Sequence, residues 1–364
     1  MRNLYLGISI APYRLDLCHW LYRNYSCDIY HRAESCSDLA FNQNLVRSEC
    51  GFPLLYYPAV GRNRSRFRTL RKVIRESDPE TVFVFEFSLL TLQVVLIRFF
   101  RKKKFRIISF CDDSIDMIRG NDFSRLHRIA RHFVPHWVDN LILDNREARD
   151  WYRDRFGKGV YFPIIADEDR CRKDLQLALP RSEELYREYI GDRKPVVLFV
   201  GRLVAVKNVP LLLEAFRSCR EQAHLVIVGD GVEEGHLHEL DRKYGTQAIF
   251  TGKLHGCDLH AWYNLADMFV LPSSMEPFGA VTNEALMSGL YALVSRKAGS
   301  ATLIVPGENG DVFSPDSAPS LAQLMEKYIG LVGEKKLPLT VKPNRMPCLF
   351  EDTLRKALGE LDAR

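Results

Sequence analysis

Residues 268–290 read MFVLPSSMEPFGAVTNEALMSGL. A run of four apolar residues gives way to Pro-Ser-Ser, then to Glu276-Pro277-Phe278-Gly279, and then to apolar residues three and four apart. A buried strand, a turn and a helix account for that order. The same rhythm spreads outward: VVLFVG (196–201), HLVIVGDG (224–231), AIFTG (248–252) and ALVS (292–295) are short apolar runs, most of them closed by Gly, Pro or Ser. Helical patterns such as VPLLLEAFRSCREQ (209–222) and CDLHAWYNLA (257–266) lie between them. Strands alternating with helices predict βαβ units and a parallel sheet buried on both faces. LYLGISI (4–10), TVFVFE (81–86), FRIISF (105–110) and NLILDN (140–145) predict a second such sheet. The fold class is therefore α/β with two doubly wound domains. The expected boundaries are a first domain over 1–170, a linker over 171–194 in a polar stretch bounded by prolines, a second domain over 195–343, and a last amphipathic helix within 344–364.

The 364 residues exceed what one core usually holds, and 46% apolar with 27% charged composition is that of an ordinary globular chain. Charge is uneven: residues 1–190 hold 32 Lys+Arg against 25 Asp+Glu, and residues 191–364 hold 19 against 21. RNRSRFRTLRKVIR (62–75) and RFFRKKKFR (98–106) make the difference. An anionic membrane surface or a phosphorylated substrate would suit them. No stacking platform or nucleic-acid motif accompanies them, so no nucleic-acid partner is expected. The nine cysteines form no C-x-x-C pair, which argues against zinc and iron–sulfur sites and suits a reducing, cytoplasmic compartment. VFVFEFSLLTLQVVLIRFF (82–100) is long enough to span a bilayer, but Glu86 interrupts it and its character changes midway. A strand, a turn and a buried helix are expected there instead.

In doubly wound sheets ligands sit beyond the carboxyl ends of the strands. The second half offers Gly201, Arg202 and Lys207 after one strand, Gly229 after the next, Lys253 and Leu254 after a third, and the opening stretch after a fourth. Two cations beside a helix N-terminus suit a diphosphate. A helix starting near Gly279 would point the N–H groups of Gly279, Ala280 and Val281 at it. Glu276 and Glu284 flank that anchor, and a carboxylate can accept from two vicinal hydroxyls at once. Hexose, diphosphate and ribose in a row match this layout. GDGVEEG (229–235) begins like a dinucleotide fingerprint but has Glu234 at its third glycine position, which argues against a nicotinamide enzyme.

GRLVAVKN, VGDG, TGKL, LADMFVLPSSMEPFGAVTNEALMSG and AGSATLIVPGENGDVF together resemble the retaining glycosyltransferases of family 4, which have the two-domain GT-B fold. The likeness is continuous from about 195 to 315; in the first half it rests on APYRLDL and SFCDDS. The resemblance implies two Rossmann-like domains facing across a cleft, with the C-terminal helix crossing back to the first. It implies that Glu276 holds the donor hexose, Glu284 the ribose, and Arg202 and Lys207 the leaving diphosphate in place of a metal. Phe278, Gly279 and Ala280 would give backbone contacts, and TGKL would line the base. The expected reaction is metal-independent hexosyl transfer with retention from a UDP- or GDP-sugar co-substrate, with no bound cofactor. Its acceptor would be a glycan or lipid-linked oligosaccharide in lipopolysaccharide or capsule synthesis, at the inner face of the cytoplasmic membrane. Where many members carry His-Asp, this chain has Phe110-Cys111-Asp112-Asp113, so Asp112 or Asp113 is expected to act at the reacting face. Asp113 could equally be a helix N-cap. A non-catalytic nucleotide-sugar or carbohydrate-binding protein on the same scaffold is the alternative.

Overall fold

The protein is described by a computed structural model over residues 2–7, 10–32, 50–53, 55–57, 63–120 and 125–362; Arg62 and Cys36 lie outside the described residues. The chain divides into two compact units, one of residues 1–164 with 354–364 and one of residues 165–353.

The first unit holds strands β1 (Asn3–Gly7), β2 (Cys27–Arg32), β3 (Leu55–Tyr57), β4 (Thr81–Phe85), β5 (Arg106–Cys111), β6 (Asn140–Leu143) and β7 (Val160–Tyr161). They form one parallel sheet in the order β3-β2-β1-β4-β5-β6-β7. The second unit holds β8 (Val196–Val200), β9 (His224–Val228), β10 (Ile249–Gly252), β11 (Met268–Leu271), β12 (Tyr291–Ser295) and β13 (Gly310–Phe313), parallel in the order β10-β9-β8-β11-β12-β13. Every residue of β1, β8 and β11 is buried, the price of helices on both faces of a parallel sheet. In each sheet the winding reverses at one place, between β1 and β4 and between β8 and β11. Loops leaving those strands diverge and open a crevice at their carboxyl ends.

The stretch 82–100 is β4 followed by the helix Leu89–Phe99, with Ser88 as N-cap. Among the described residues no helix is long and apolar enough to cross a membrane.

One expectation from the sequence needs correcting. Residues 171–194 are not a free linker. The helix Glu168–Leu185 buries Leu175, Ala178, Ser182 and Leu185 and packs on the helix Gly256–Leu265 of the second unit. Asn264 Nδ2 donates to the Leu175 carbonyl at 2.8 Å and to Ser182 Oγ at 3.2 Å, which fastens the two. A polar, charged outer face concealed the narrow apolar stripe. The acids 167–169 are its N-terminus, where the Asp167 side chain accepts from Arg170 N at 2.9 Å. The last helix is Phe350–Asp362, starting after Leu349, and residues from 354 onward belong to the first unit. There Arg106 bonds the Leu361 carbonyl and the Arg355 guanidinium lies 5.4 Å from the Trp20 ring centre. The helix after Gly279 begins at Val281.

Candidate functional site

In the second unit the reversal of winding brings the loop after β8 beside the loop after β11. Ser274 N donates to the Val206 carbonyl at 2.9 Å, tying the two loops together. Lys207 and Glu276, 69 positions apart in sequence, thereby form an ion pair whose side chains are each 13% exposed. Arg202 lies five residues before Lys207 and is exposed. Glu276 is set from the other side too: its N–H bonds the Lys297 carbonyl at 3.2 Å, and Gly299 N bonds its carbonyl at 3.1 Å.

The Pro-Phe-Gly turn follows. Phe278 is buried, and its carbonyl accepts from Ser300 N at 2.7 Å. Gly279 has φ +91°, a conformation that strains any other residue, and a Cβ there would stand 2.7 Å from Leu271 Cδ2 and force that side chain to shift. The N–H groups of Gly279, Ala280 and Val281 meet no acceptor among the described residues, whereas Thr282 N already bonds the Gly279 carbonyl at 3.0 Å. The helix Val281–Met287 has only seven residues, so its terminal charge is modest.

Glu284 is half-buried on that helix, and Tyr263 OH donates to its Oε2 at 2.9 Å. Burial raises the Glu284 pKa, opposed by the Tyr263 hydrogen bond and by the charge of Arg170. The hydroxyl of Ser273, fully buried between β11 and Glu276, has no hydrogen-bond partner among the described residues. Gly229 serves the site indirectly. A Cβ there would lie 1.8 Å from the Gly201 carbonyl oxygen, so the loops after β8 and β9 touch backbone to backbone. Leu203 N to Asp230 O at 2.7 Å and Gly229 N to Gly252 O at 2.8 Å continue that contact toward the exposed Lys253 and half-buried Leu254.

The first unit gathers charge at its own reversal. Arg14, 5% exposed, pairs with Asp112, and its guanidinium lies 5.3 Å and 5.5 Å from the ring centres of Phe85 and Phe110. Glu86 follows β4, and burial, then the charge of Asp112, push its pKa up to about 6. Asp144 follows β6 and is 2% exposed; among the described residues neither carboxylate oxygen has a hydrogen-bond partner, and burial raises its pKa well above the ordinary carboxylate value. The two neighbouring aspartates part company. Asp112 keeps 28% of its side chain exposed, while Asp113 is buried and accepts from Tyr152 OH at 2.6 Å and Arg131 Nε at 3.1 Å. Burial works to raise the Asp113 pKa, but hydrogen bonds from His127 and Tyr152 and the charge of Arg131 bring it below the ordinary value. Asp113 is not the N-cap; Ser114 is, its Oγ accepting from Met117 N at 3.2 Å. His127, on the helix Arg125–Trp137, lies with its Nε2 3.6 Å from Asp113 Oδ1.

Arg14, Glu86, His127, Asp144, Tyr263 and Ser273 were not singled out as site residues from the sequence. Glu86 and Asp144 stand directly after strands, so the strand-end rule applied equally to the first half finds them. Tyr263 and His127 lie inside helices, and nothing local distinguishes them.

Residues 182–334 match the family model of glycosyl transferases group 1. The chain is 37% identical over 218 residues to the GDP-mannose-dependent alpha-mannosyltransferase of Mycobacterium tuberculosis, covering 57% of this chain and 52% of that protein. It is 37% identical over 136 residues to the enzyme of the same name from Mycolicibacterium smegmatis, covering 37% and 35%. The chain thus spans about a third to a half of the length of these curated relatives. The structure of Anabaena HepE in complex with UDP superposes with a TM-score of 0.76 over 100% of both chains at 15% identity, which shows the two-domain GT-B fold.

Proposed function

With residues 182–334 a group 1 glycosyl transferase domain, we propose that the chain moves a hexose, with retention, from a nucleotide-diphosphate sugar to a hydroxyl of a glycan or lipid-linked oligosaccharide in surface polysaccharide synthesis. The observation that carries this reading is the Lys207–Glu276 pair at the reversal of the second sheet, where a cation and a carboxylate sit ready to exchange partners. Lys207, with Arg202, takes the diphosphate; Glu276, released, accepts from hexose hydroxyls; Glu284, held by Tyr263, accepts from the ribose diol. The bond from the anomeric carbon to the phosphate oxygen breaks, and the acceptor oxygen bonds to that carbon. The acceptor proton passes to the departing phosphate, whose charge the two cations stabilise as it grows. They would do so without a metal or a bound cofactor. Asp112, steadied by Arg14, orients the acceptor hydroxyl. The relatives named for GDP-mannose and the solved structure with UDP support a nucleoside diphosphate without choosing its base.

A panel of UDP- and GDP-hexoses tests this. The donor should stabilise the protein against heat by about 2.7 kcal/mol at a hundredfold excess over Kd, and without acceptor it should release nucleoside diphosphate slowly. The anomeric coupling in the product's NMR spectrum reads retention directly. No thermal shift and no release with any member of the panel would overturn the assignment.

A further inference from the structure

The helices between β4 and β5 and between β5 and β6 follow steps in one direction across the first sheet, so right-handed crossovers place both on the same face. Their inner residues Leu90, Val94, Ile97 and Val134 share one core cluster with Leu70 and Ile74 of the helix Asn63–Ser77. The guanidinium of Arg98, on the helix Leu89–Phe99, bonds the Trp137 carbonyl and Asp139, tying it to the end of the helix Arg125–Trp137. The outward side of the first helix is apolar, and that of the second carries an apolar row beside the exposed His132 and His136. Leu92, Leu96 and Phe99 recur at spacings of four and three and continue into Phe100; Ile129, Phe133 and Trp137 recur every four. All seven are exposed, from 45% at Leu92 to 72% at Phe100. A helix packed on a sheet ordinarily turns a polar side to water, and large contiguous apolar surface marks an interaction site.

Basic groups border the two rows. Arg101, Lys102, Lys103 and Lys104 follow Phe100 directly, and Asp78 offsets one of their charges by pairing with Arg101 and Lys103. Lys104 Nζ donates to the carbonyls of Arg98 and Phe99 at 2.8 and 2.9 Å, which fixes an ammonium at the end of the first row. Arg101 donates to the Ile74 carbonyl at 2.9 Å and so joins this rim to the exposed Arg71, Lys72 and Arg75. Lys158 Nζ, donating to the Pro135 and Val138 carbonyls at 2.7 and 2.6 Å, does the same at the end of the second row. A shallow pocket of about 460 Å³ beside them is lined by Arg98, Lys103, Lys104 and Arg106 with Glu80 and Asp139.

We propose that this face docks the protein on an anionic lipid bilayer, the two apolar rows entering the boundary between headgroups and acyl chains while the basic rim takes lipid phosphates. The charge decides the occupant. A second copy of the same face would bring two positive rims together and repel. Nucleic acid would use the rim and leave the apolar rows bare. Phenylalanine and tryptophan beside Lys and Arg fit the interfacial zone of an anionic membrane on both counts. The proposal is independent of sugar transfer, since vesicle binding is measured with no sugar present.

The test is flotation of the full chain with phosphatidylcholine vesicles, with and without phosphatidylglycerol. Binding should be at least about tenfold stronger to the anionic vesicles, since each basic residue near such a surface contributes about fivefold, and salt should weaken it. Lys102→Glu, a change of two charges, should cost about twentyfold, and Phe99→Ser with Phe100→Ser about tenfold or more. These side chains are exposed, so melting temperatures should hold. As a second readout, brominated acyl chains should quench part of the wild-type tryptophan fluorescence, and Trp137→Phe should remove that part. Equal binding to both lipids, or flotation indifferent to the substitutions, overturns the proposal. A dimer in size-exclusion chromatography that Phe99→Ser with Phe100→Ser dissociates, without vesicle binding by the wild type, gives the face to a second copy and overturns it as well.

Discussion

Glu276→Gln should separate grip on the nucleotide from transfer of the sugar, because Glu276 holds the same ammonium that the diphosphate needs. The two side chains are each 13% exposed, so their hydrogen bond is largely shielded from water. A charge-assisted hydrogen bond is worth about 1.5–3 kcal/mol, and some of that is lost whenever Lys207 turns to a phosphate. In Glu276→Gln the ammonium faces a neutral amide. Affinity for the free nucleoside diphosphate should then rise by about 1 kcal/mol, roughly fivefold. Transfer should fall, since the donor loses its carboxylate acceptor: about 1.5–3 kcal/mol of lost transition-state binding means roughly a 10- to 100-fold lower kcat/KM. Lys207→Met should do the reverse to binding, weakening nucleoside diphosphate by about 2 kcal/mol or some thirtyfold, and leaving the Glu276 charge to repel the phosphates. The double variant Lys207→Met/Glu276→Gln should bind better than Lys207→Met alone, with a coupling of about 1–3 kcal/mol. Calorimetric titration with UDP and GDP and initial rates on the preferred donor supply all four corners of the cycle. If Glu276→Gln weakens nucleoside diphosphate binding as much as Lys207→Met does, the exchange of partners is wrong.

Two further expectations concern the scaffold. Gly229→Ala places a methyl 1.8 Å from the Gly201 carbonyl oxygen at φ +147°, so the loops must part; a loss of about 2–4 kcal/mol in denaturant unfolding is expected, with weaker donor binding. Gly235→Ala, with nothing within 4 Å on the helix Glu234–Tyr244, should instead stabilise by about 0.5–1 kcal/mol, and the reverse order of the two would refute the packing argument. His31 is 4% exposed, neither ring nitrogen is hydrogen-bonded to a described residue, and burial pushes its pKa down from 6.5 to about 4. The unfolded chain takes up a proton below 6.5 that the folded one refuses until about 4, so stability is lost across that window as pH falls. The full loss is about 3 kcal/mol, and it should be absent from His31→Phe measured over the same range.

The second sheet was legible because β8, β9, β11 and β12 are almost wholly buried and read as uninterrupted apolar runs, and because glycine, proline or serine marks where they end; the half-buried β10 and the edge strand β13, GDVF, carry less of that signal. From those ends alone Arg202, Lys207, Glu276 and Glu284 could be collected. The first half yielded less. β2, CDIYHR, mixes polar and apolar residues, and β3 and β7 have three and two residues, too short for any period to show. The helix Glu168–Leu185 looked like a linker because its stripe is narrow and its outer face heavily charged.

What the sequence determined by itself is what repeats locally: the alternation of strand and helix, the turn chemistry of Pro277-Phe278-Gly279, and the placement of charged residues just past strand ends. These follow from backbone geometry and solvation within a dozen residues. Tertiary structure alone decided which charges meet. Lys207 reaches Glu276 across 69 positions because β8 and β11 are neighbours in the sheet. Asp112 stays at the surface while Asp113, one residue on, is sealed in by Tyr152 and Arg131. The apolar rows on the helices Leu89–Phe99 and Arg125–Trp137 are exposed because each helix has room for only one face against the sheet, and no periodicity in either segment says which apolar residues will be left outside.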